Sequence, residues 1–291
     1  GDDATLRLVS LAARAQVAAA DLPTMGGCVT WSPDGAMVAV GLGGRVGPGG
    51  SRGTHPRDGT IAILSAHDLE PLWEGREGSS PISACSFSPD GAMIAVGARD
   101  GLVYVWNIVL QLESGTGAPV IALDWTADGG AVQVNDRSGN LAFFTVADGQ
   151  KVEYPSIIRD AEWDTWTLPM GWATVGAWIA SGVAAAAAGA PAGAPTGDAD
   201  GAPKGLGAAT GAAVPVHSAH ADPSRELLAT GDDSGRVRIF RWPALEPGVQ
   251  SLDLLPHAGP VSSVRFSADG RRLLTTGSVD GALVQYRILR G

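Results

Sequence analysis

The stretch from Cys28 to Gly41 reads CVTWSPDGAMVAVG, and a near copy, CSFSPDGAMIAVG, runs from Cys85 to Gly97. In both, apolar and polar residues lead to an aromatic side chain, and small apolar residues follow a Ser-Pro-Asp-Gly sequence. Proline presets φ and glycine adopts positive φ, so these four residues favour a tight turn. Each stretch therefore predicts a β-hairpin of two antiparallel strands.

The same pattern recurs in weaker form at Leu123–Gly129, His217–Ser224 and Val264–Gly270. After each hairpin, a second glycine-containing turn precedes another alternating apolar run, which predicts a third strand. These second turns are Asp58-Gly59, Asp100-Gly101, Ser138-Gly139, Ser234-Gly235 and Asp280-Gly281. Three strands and a loosely patterned fourth make up one blade of a β-propeller.

The spacing of the aromatic positions identifies the class of repeat. Phe87 and Trp125 are 38 residues apart, close to the ~40 to 45 residues of a WD40 blade. Larger spacings come from inserts at residues 42–57 and 180–213, and the second insert is a low-complexity Gly/Ala/Pro tract that we expect to be mobile. Residues 1–291 are therefore predicted to be a portion of an all-β, WD40-type β-propeller, with about five blades and one split blade.

The two ends of the chain predict the split blade. Thr5–Val9 has the pattern of a third strand without its first two strands, and Leu283–Leu289 is a third strand that no fourth strand follows. A propeller avoids exposed sheet edges by closing into a ring. We therefore expect the native chain to extend upstream and to supply the missing strands.

Composition excludes several classes of protein and partner. Glycine (41) and proline (19) are too frequent for a helical bundle. With 20 Lys and Arg against 30 Asp and Glu, the net charge of -10 argues against nucleic acid and membrane surfaces as partners. Cys28 and Cys85 are too few for a disulfide framework or a metal cluster, and they favour a reducing, cytoplasmic compartment. Apolar runs are too short for a membrane span.

The units resemble WD40 repeats, with departures from the usual pattern. Trp106 keeps the tryptophan of the signature dipeptide, but Asn107 replaces its aspartate. His257 stands where a WD40 histidine precedes the next blade, after Pro256 in place of the usual glycine. The side-chain hydrogen-bond network of WD40 repeats is thus expected to be largely missing, while strand pattern and turns still specify the architecture.

A more specific pattern lies at residues 159–178, which read RDAEWDTWTLPMGWATVGAW. A Trp-x-Thr-Trp-Thr run from Trp163 leads to Gly171-Trp172 and then to Gly176-x-Trp178. This stretch resembles a signature of the echinoderm microtubule-associated protein-like (EMAP-like) family at matching spacing, and residues 261–289 are similar to the end of that family's second propeller. The resemblance covers essentially the whole chain, although an Ala/Gly-rich tract follows Trp178 where the family has a short acidic loop.

The resemblance implies a non-catalytic scaffold in the cytoplasm and cytoskeleton, with tubulin or microtubules and other cytoskeletal or axonemal proteins as partners. The Ala/Gly-rich inserts and degenerate repeats fit a ciliary or flagellar axoneme as the setting. Two other classes stay open. One is a generic WD40 adaptor with no microtubule link, since a shared fold does not fix function. The other is a propeller enzyme, for which the sequence offers no convergent acid, base and nucleophile.

The tryptophans of the family-like stretch are the first candidate binding residues. Trp163, Trp166 and Trp172 could form an aromatic patch that contacts a partner. The alternative, which we favour, is that they pack blades together, because aromatic side chains bury a large area before they recognise anything.

A loop rich in arginine and glycine is the second candidate. Arg45, Arg52 and Arg57 lie among glycines with His55 and with no acidic residue before Asp58. Such a loop could reach the acidic surface of a microtubule, since the guanidinium group binds carboxylates in a fork geometry. A solvated loop without a partner is the alternative that we favour.

His217, His220 and Asp222 invite a metal or catalytic interpretation, but no third ligand or nucleophile follows at a recognisable spacing. His220 occupies the aromatic position of its repeat and is predicted to pack between blades. The recurring turn aspartates are predicted to stabilise their turns; they are Asp34, Asp90, Asp128 and Asp269. We therefore predict no catalytic, cofactor-binding or metal-binding residue.

Overall fold

The computed structural model describes residues 3–44, 55–106, 110–113, 118–180, 216–246 and 249–290. The chain divides into two compact units, each treated below by itself. The first unit comprises Gly1–Ser138 and Ala142–Val152, and the second comprises Gly139–Leu141 and Glu153–Gly291. Of the two predicted inserts, residues 45–54 and 181–213 lie outside the described residues.

Antiparallel strands in chain order form the sheets of the first unit. Sheet 1 contains two strands, sheets 2 and 3 contain four each, and sheet 4 contains three. The strands of sheets 1 and 2 are β1 (Thr5–Ser10), β2 (Ala15–Asp21), β3 (Gly26–Trp31), β4 (Met37–Leu42), β5 (Thr60–Ser65) and β6 (Pro71–Arg76). Those of sheets 3 and 4 are β7 (Ile82–Phe87), β8 (Ile94–Ala98), β9 (Leu102–Trp106), β10 (Leu110–Glu113), β11 (Val120–Trp125), β12 (Ala131–Asp136) and β13 (Leu141–Thr145).

The second unit contains two further sheets, which also follow chain order. Sheet 5 has four strands and sheet 6 has three. Their strands are β14 (Val216–Ala221), β15 (Leu227–Asp232), β16 (Val237–Arg241), β17 (Ser251–Leu254), β18 (Val261–Phe266), β19 (Arg272–Gly277) and β20 (Leu283–Arg287). Two short 3₁₀ turns, at Pro155–Ile158 and Trp172–Thr174, and the helix α1 (Val175–Ala180) precede them.

The Ser-Pro-Asp-Gly turn closes the first hairpin as the sequence predicts. Trp31 of β3 pairs with Val38 of β4, and Gly35 between them has a φ of +72°. The Ser32 hydroxyl donates to Asp34 Oδ1 (2.5 Å) and accepts from the Met37 N–H (2.9 Å). The side chains of the turn thus satisfy backbone groups that the strands leave free.

Turns of successive sheets lie against each other. A Cβ atom added at Gly91, in the turn of sheet 3, would lie 3.5 Å from Cδ of Pro33, in the turn of sheet 2. The same relation joins Gly129 to Pro89, and Gly270 to Pro223, at 4.0 and 3.8 Å. The residue at the proline position in the turn of one sheet therefore lies next to the turn glycine of the following sheet.

The core of the first unit lies between successive sheets. Phe87 of sheet 3 belongs to a buried cluster with Ala39 and Ile61 of sheet 2, and Trp125 of sheet 4 is fully buried in the next cluster. The indole N–H of Trp125 also donates to the backbone carbonyl of Ser86 (3.1 Å). Phe87 and Trp125, each the last residue before a turn, therefore pack on the preceding sheet, whereas Trp31 at the same position of sheet 2 is exposed.

Small residues let these sheets approach closely. A Cβ atom at Gly97 of β8 would lie 2.2 Å from Cγ1 of Val120 in β11. The same position in the second unit is Gly231, whose added Cβ would lie 2.5 Å from Cγ1 of Val261. The glycine near the end of the second strand in sheets 2, 3 and 5 is thus required by the sheet that follows; these glycines are Gly41, Gly97 and Gly231.

These sheets confirm the prediction of five units with their first three strands, while the split unit stays a prediction. Among the described residues, β1 pairs with β2 alone, which is consistent with an isolated third strand at Thr5–Val9. The all-β class is also confirmed, with α1 as a short helix that the sequence pattern did not predict. No helix in the described ranges has the length and apolar character that crossing a membrane requires.

Candidate partner-binding site

The tryptophans of the family-like segment pack within the second unit. Trp163 and Trp166 are 8% and 4% exposed. The ring of Trp166 meets Trp242 edge to face, with centroids 5.1 Å apart and an angle of 67°. Its indole N–H donates to the backbone carbonyl of Leu168 (3.0 Å), and its own carbonyl accepts from the N–H of Ala221 at the end of β14 (2.9 Å). The segment is therefore tied to sheet 5.

Two glycines of the segment are explained by close contacts. A Cβ atom at Gly171 would lie 2.4 Å from Cζ2 of Trp166, and one at Gly176 would lie 2.3 Å from the carbonyl oxygen of Glu246. The N–H of Gly176 donates to the carbonyl of Ala244 (2.7 Å). The spacing of glycines and tryptophans in this segment is therefore a packing requirement.

Arg225 holds the segment from the other side, and the sequence analysis did not single it out. Its guanidinium Nη2 donates to the backbone carbonyls of Trp163 (2.7 Å) and Asp164 (3.1 Å). Its Cζ atom lies 5.4 Å from the ring centroid of Trp242. A signal was available, because the hairpin turns of four other sheets have glycine at this position.

The burial of Trp163 and Trp166 is what the packing interpretation predicts. Trp172, in the second 3₁₀ turn, remains partly exposed. Of the three predicted binding tryptophans, it therefore has the greatest access to a partner. A role in partner binding stays a prediction for all three.

Of the predicted basic loop, Arg45 and Arg52 lie outside the described residues. Arg57 is described, and its guanidinium group forms an ion pair with Glu74 on the edge strand β6. Its backbone N–H donates to His55 Nδ1 (3.1 Å), while the His55 N–H donates to Asp58 Oδ2 (2.9 Å). The end of the loop is thus anchored to sheet 2, with a half-exposed cation at its surface.

His217, His220 and Asp222 do not converge on one point. His217 Nε2 pairs with Asp233, whereas Asp222 accepts hydrogen bonds from Ser224 and from backbone N–H groups of its own turn. The part of the chain that the structure describes contains no group of three or more His, Cys, Asp or Glu residues that could hold a metal ion.

His220 packs between two sheets, as predicted from its aromatic position. Its ring stacks on Phe266 with centroids 6.0 Å apart, and its Nδ1 accepts a hydrogen bond from the Phe266 N–H (3.0 Å). Desolvation by the packed neighbours lowers the pKa of His220 to about 3, and the cations Arg265 and Arg225 act in the same direction. The ring is therefore a neutral acceptor at physiological pH.

The recurring turn aspartates stabilise their turns, which confirms that prediction. Each accepts a hydrogen bond from the Ser or Thr hydroxyl two residues before it. Each also accepts one from the backbone N–H two residues after it. The hydroxyl bond, with help from the backbone bond, lowers the pKa of all four carboxyl groups; they are Asp34, Asp90, Asp128 and Asp269.

Sheet 6 contains a hydrogen-bonded chain of three side chains. His257 Nδ1 lies 3.1 Å from Asp280 Oδ2, and His257 Nε2 lies 2.9 Å from Thr275 Oγ1. The sequence prediction that a side-chain hydrogen-bond network would be largely missing is thus too strong for this sheet, although Arg287 stands in place of the signature tryptophan. The order acid, imidazole, hydroxyl also occurs in catalytic triads, but Thr275 is fully buried and His257 is 4% exposed. No substrate reaches this hydroxyl, so the hydrogen-bonded side chains of Asp280, His257 and Thr275 have a structural role.

Comparison with known proteins identifies the sheets as blades. A family model described as "Echinoderm microtubule-associated protein second beta-propeller" matches residues 1–188, and the model "WD domain, G-beta repeat" matches residues 249–286. One chain of a structure titled "Crystal Structure of Mitotic Checkpoint Complex" superposes with a TM-score of 0.66 at 17% identity, over 99% of this chain and 82% of that one. The fold is therefore a WD40 β-propeller.

Curated relatives carry names from the same group. Echinoderm microtubule-associated protein-like 2 of Homo sapiens is 28% identical over 261 residues, which cover 83% of this chain and 35% of the relative. Echinoderm microtubule-associated protein-like 3 of Homo sapiens is 26% identical over 92% of this chain and 26% of its own length. The 77 kDa echinoderm microtubule-associated protein of Strongylocentrotus purpuratus is 24% identical over 88% of this chain and 32% of its own length. The chain thus spans about a quarter to a third of the length of these relatives.

Proposed function

Because the chain belongs to the family of the second β-propeller of echinoderm microtubule-associated proteins, we propose that it is a non-catalytic, microtubule-associated scaffold. The observation that carries this proposal is the family match over residues 1–188, which includes the packed tryptophan segment. Its partners are tubulin or microtubules and other cytoskeletal or axonemal proteins. Its location is the cytoplasm and cytoskeleton, with the axoneme of a cilium or flagellum as the specialised setting.

The chemistry of the described residues supports a binding role over a catalytic one. Burial lowers the pKa of His220, whose ring accepts a backbone hydrogen bond between two sheets. The imidazole of His257 is held at both nitrogens. Lowered carboxyl pKa values occur in turns, where hydroxyl and N–H donors cause them. These groups have structural partners in place of a substrate.

The net charge of -10 limits how this chain can contact an acidic filament. Attraction must come from a local cluster of cations, because the molecule as a whole is repelled. We assign that contact to Arg45, Arg52 and Arg57, with Trp172 as a candidate aromatic contact. Since Arg57 already pairs with Glu74, the first two arginines carry most of the proposed attraction.

Co-sedimentation with taxol-stabilised microtubules tests the proposal. We expect the purified chain to pellet with microtubules, and we expect Arg45→Ser with Arg52→Ser to weaken binding several-fold. Arg137→Ser, at an exposed site of the first unit, is the matched control and should bind normally. The interaction should weaken as the salt concentration rises, since exposed charges are screened.

The alternative of a generic WD40 adaptor has a distinct outcome. If neither this chain nor a longer native protein that contains it pellets with microtubules or occurs in purified axonemes, the microtubule assignment is wrong. If the chain pellets but the double arginine variant binds equally well, the scaffold function stands and the arginine site is wrong. Trp172→Ala then tests the aromatic contact, with Trp31→Ala, at an exposed tryptophan of the first unit, as the control.

A further inference from the structure

An apolar cleft opens in the first unit between sheets 2 and 3. It has a volume of about 350 Å³, within the ~300 to 1,000 Å³ of typical binding pockets. Side chains from the facing sheets and the turn between β7 and β8 form its walls; they are Met37, Ile63, Trp73, Phe87, Gly91, Ala92, Met93, Ile94 and Trp106. The cleft is thus built of two tryptophans, two methionines and other largely apolar residues.

The tryptophans stand at one side of the cleft and are in contact. Trp73 of β6 and Trp106 of β9 meet edge to face, with centroids 5.9 Å apart and an angle of 73°. Trp73 is 42% exposed, and its neighbour Leu72 is 57% exposed. Exposed tryptophan beside adaptable methionine is typical of surfaces that hold an apolar side chain of a partner.

Two exposed carboxylates, those of Asp34 and Asp90, belong to turns next to residues that line the same cleft. The Ala92 N–H, in the cleft wall, donates to Asp90 Oδ1 (3.0 Å), and Asp34 occupies the same place beside Ala36, one residue before Met37. The two turns are neighbours, because a Cβ atom at Gly91 would lie 3.5 Å from Pro33. Hydrogen bonds from Ser32 and Ser88 keep the pKa of both carboxyl groups below its usual value, so both are charged at neutral pH.

The surrounding unit has the same sign of charge. Residues 1–152 contain 9 Lys and Arg against 16 Asp and Glu, so a basic partner would be attracted over a longer range. Two of the nine cations, Arg7 and Arg57, are themselves in ion pairs with Asp3 and Glu74. Charge and shape together therefore indicate a partner with apolar and cationic side chains.

We propose that this cleft docks a basic peptide segment of a partner protein. A bulky apolar side chain of the segment enters between Trp73 and Met93, and flanking lysines or arginines face Asp34 and Asp90. Cations that pass the tryptophan rings gain a further attraction from the ring faces. The proposed occupant differs from a microtubule in charge, because an acidic filament would be repelled by Asp34 and Asp90.

Fluorescence anisotropy with three labelled decapeptides tests the proposal on the purified chain. The first peptide carries one leucine and one phenylalanine among six lysines. In the second, glutamates replace the lysines, and in the third, serines replace the leucine and phenylalanine. We expect the first peptide to bind at least about tenfold more tightly than either of the others, with an affinity that falls as salt rises.

Variants of the chain locate the binding site. Trp73→Ala should weaken the first peptide about tenfold, because central tryptophans dominate interface energies. Trp31→Ala is the matched control, since Trp31 is 53% exposed in the same unit but does not line the cleft. Asp34→Asn with Asp90→Asn should weaken binding about threefold and reduce its salt dependence, while the amide oxygens keep the turn hydrogen bonds.

Several outcomes would overturn the proposal. Equal binding of the lysine and glutamate peptides would mean that the cleft does not select a basic partner. Equal weakening by Trp31→Ala and Trp73→Ala, or no binding of the first peptide at about 1 mM, the weak end of measurable affinity, would place binding elsewhere. Concentration-dependent dimerisation that Trp73→Ala abolishes would identify a second copy of this chain as the occupant.

Discussion

The guanidinium carbon of Arg225 lies 5.4 Å from the ring centroid of Trp242, while its Nη2 atom donates to the backbone of Trp163. Arg225 achieves this with a φ of +55°, a conformation that costs a non-glycine residue about 1 kcal/mol. Glycines with φ of +64° to +72° occupy the same turn position in four other sheets; they are Gly35, Gly91, Gly129 and Gly270. The side-chain contacts of Arg225 thus offset the unfavourable backbone conformation at this position.

Arg225→Gly should lower the free energy of unfolding by about 1 to 2 kcal/mol, because loss of the charged hydrogen bonds and the cation–π contact exceeds the relief of the backbone. Arg14→Gly is the matched control, because Arg14 also has a positive φ (+51°). With no such contacts to lose, it should be neutral or stabilising by up to about 1 kcal/mol. Urea denaturation measures both, and a loss of equal size in the two variants would contradict this account.

Gly171→Ala should destabilise the second unit by about 1 to 3 kcal/mol through overpacking. The φ of Gly171 is -179°, so alanine tolerates the backbone and the cost comes from the new methyl group, 2.4 Å from Trp166 Cζ2. Near-ultraviolet circular dichroism should report a displaced indole. The smaller phenylalanine ring lacks this atom. The substitution Trp166→Phe should therefore lower the free energy of unfolding less in the Gly171→Ala variant than in the wild type. Strict additivity would exclude this contact as the cause.

Stability should depend on pH through His220. Its folded-state pKa, about 3, lies below the ~6.5 of an unfolded histidine, so the unfolded state binds the proton first as pH falls. The stabilisation is therefore complete above about pH 6.5 and is lost between about pH 6.5 and 3, at no more than ~1.4 kcal/mol per pH unit.

His220→Asn provides the comparison, because its amide oxygen replaces the Nδ1 acceptor without titrating. Between about pH 7 and pH 5, the wild type should lose about 2 kcal/mol more than this variant. The other histidines are common to both proteins and cancel. Parallel stability curves over this range would show that His220 is not desolvated.

Thr275→Val should lower the free energy of unfolding by about 1 to 3 kcal/mol, because it removes the hydroxyl beside His257 Nε2 and leaves a buried polar atom unsatisfied. Thr276→Val is the control, because its hydroxyl interacts with Ser262 at the exposed surface, and it should change stability by less than about 0.5 kcal/mol. Because the hydrogen-bonded side chains of Asp280, His257 and Thr275 have a structural role, Thr275→Val should leave microtubule binding per folded molecule unchanged. A binding defect without a loss of stability would contradict that role.

Much of the fold could be predicted from short-range patterns. The turn sequence at Ser32–Gly35 specifies its own hydrogen bonds, and the small apolar residues after it form the buried strand β4. The aromatic position before the turn predicted that His220 packs between blades, and Phe87 and Trp125 at the same position are buried, although Trp31 is exposed. These features depend on residues within one hairpin and its neighbour, so one sequence is enough to recognise them.

The site depended on contacts that sequence spacing does not encode. Arg225 and Trp163 are 62 positions apart, and nothing local shows that the arginine reaches a carbonyl of the tryptophan segment. The pairing of Arg57 with Glu74 likewise depends on how the edge strand β6 returns. Trp73 and Trp106 belong to different sheets, and their cleft exists only because those sheets pack face to face.

The contact between the proline of one turn and the glycine of the next, as between Pro33 and Gly91, limits where this molecule can grow in evolution. Lengthening a Ser-Pro-Asp-Gly turn would push against its neighbour, so a change in one repeat would have to be matched in the adjacent one. The long insert at residues 42–57 instead follows the second strand β4, away from these turns. New sequence, and with it new specificity, can therefore be acquired one blade at a time at that end of the sheets.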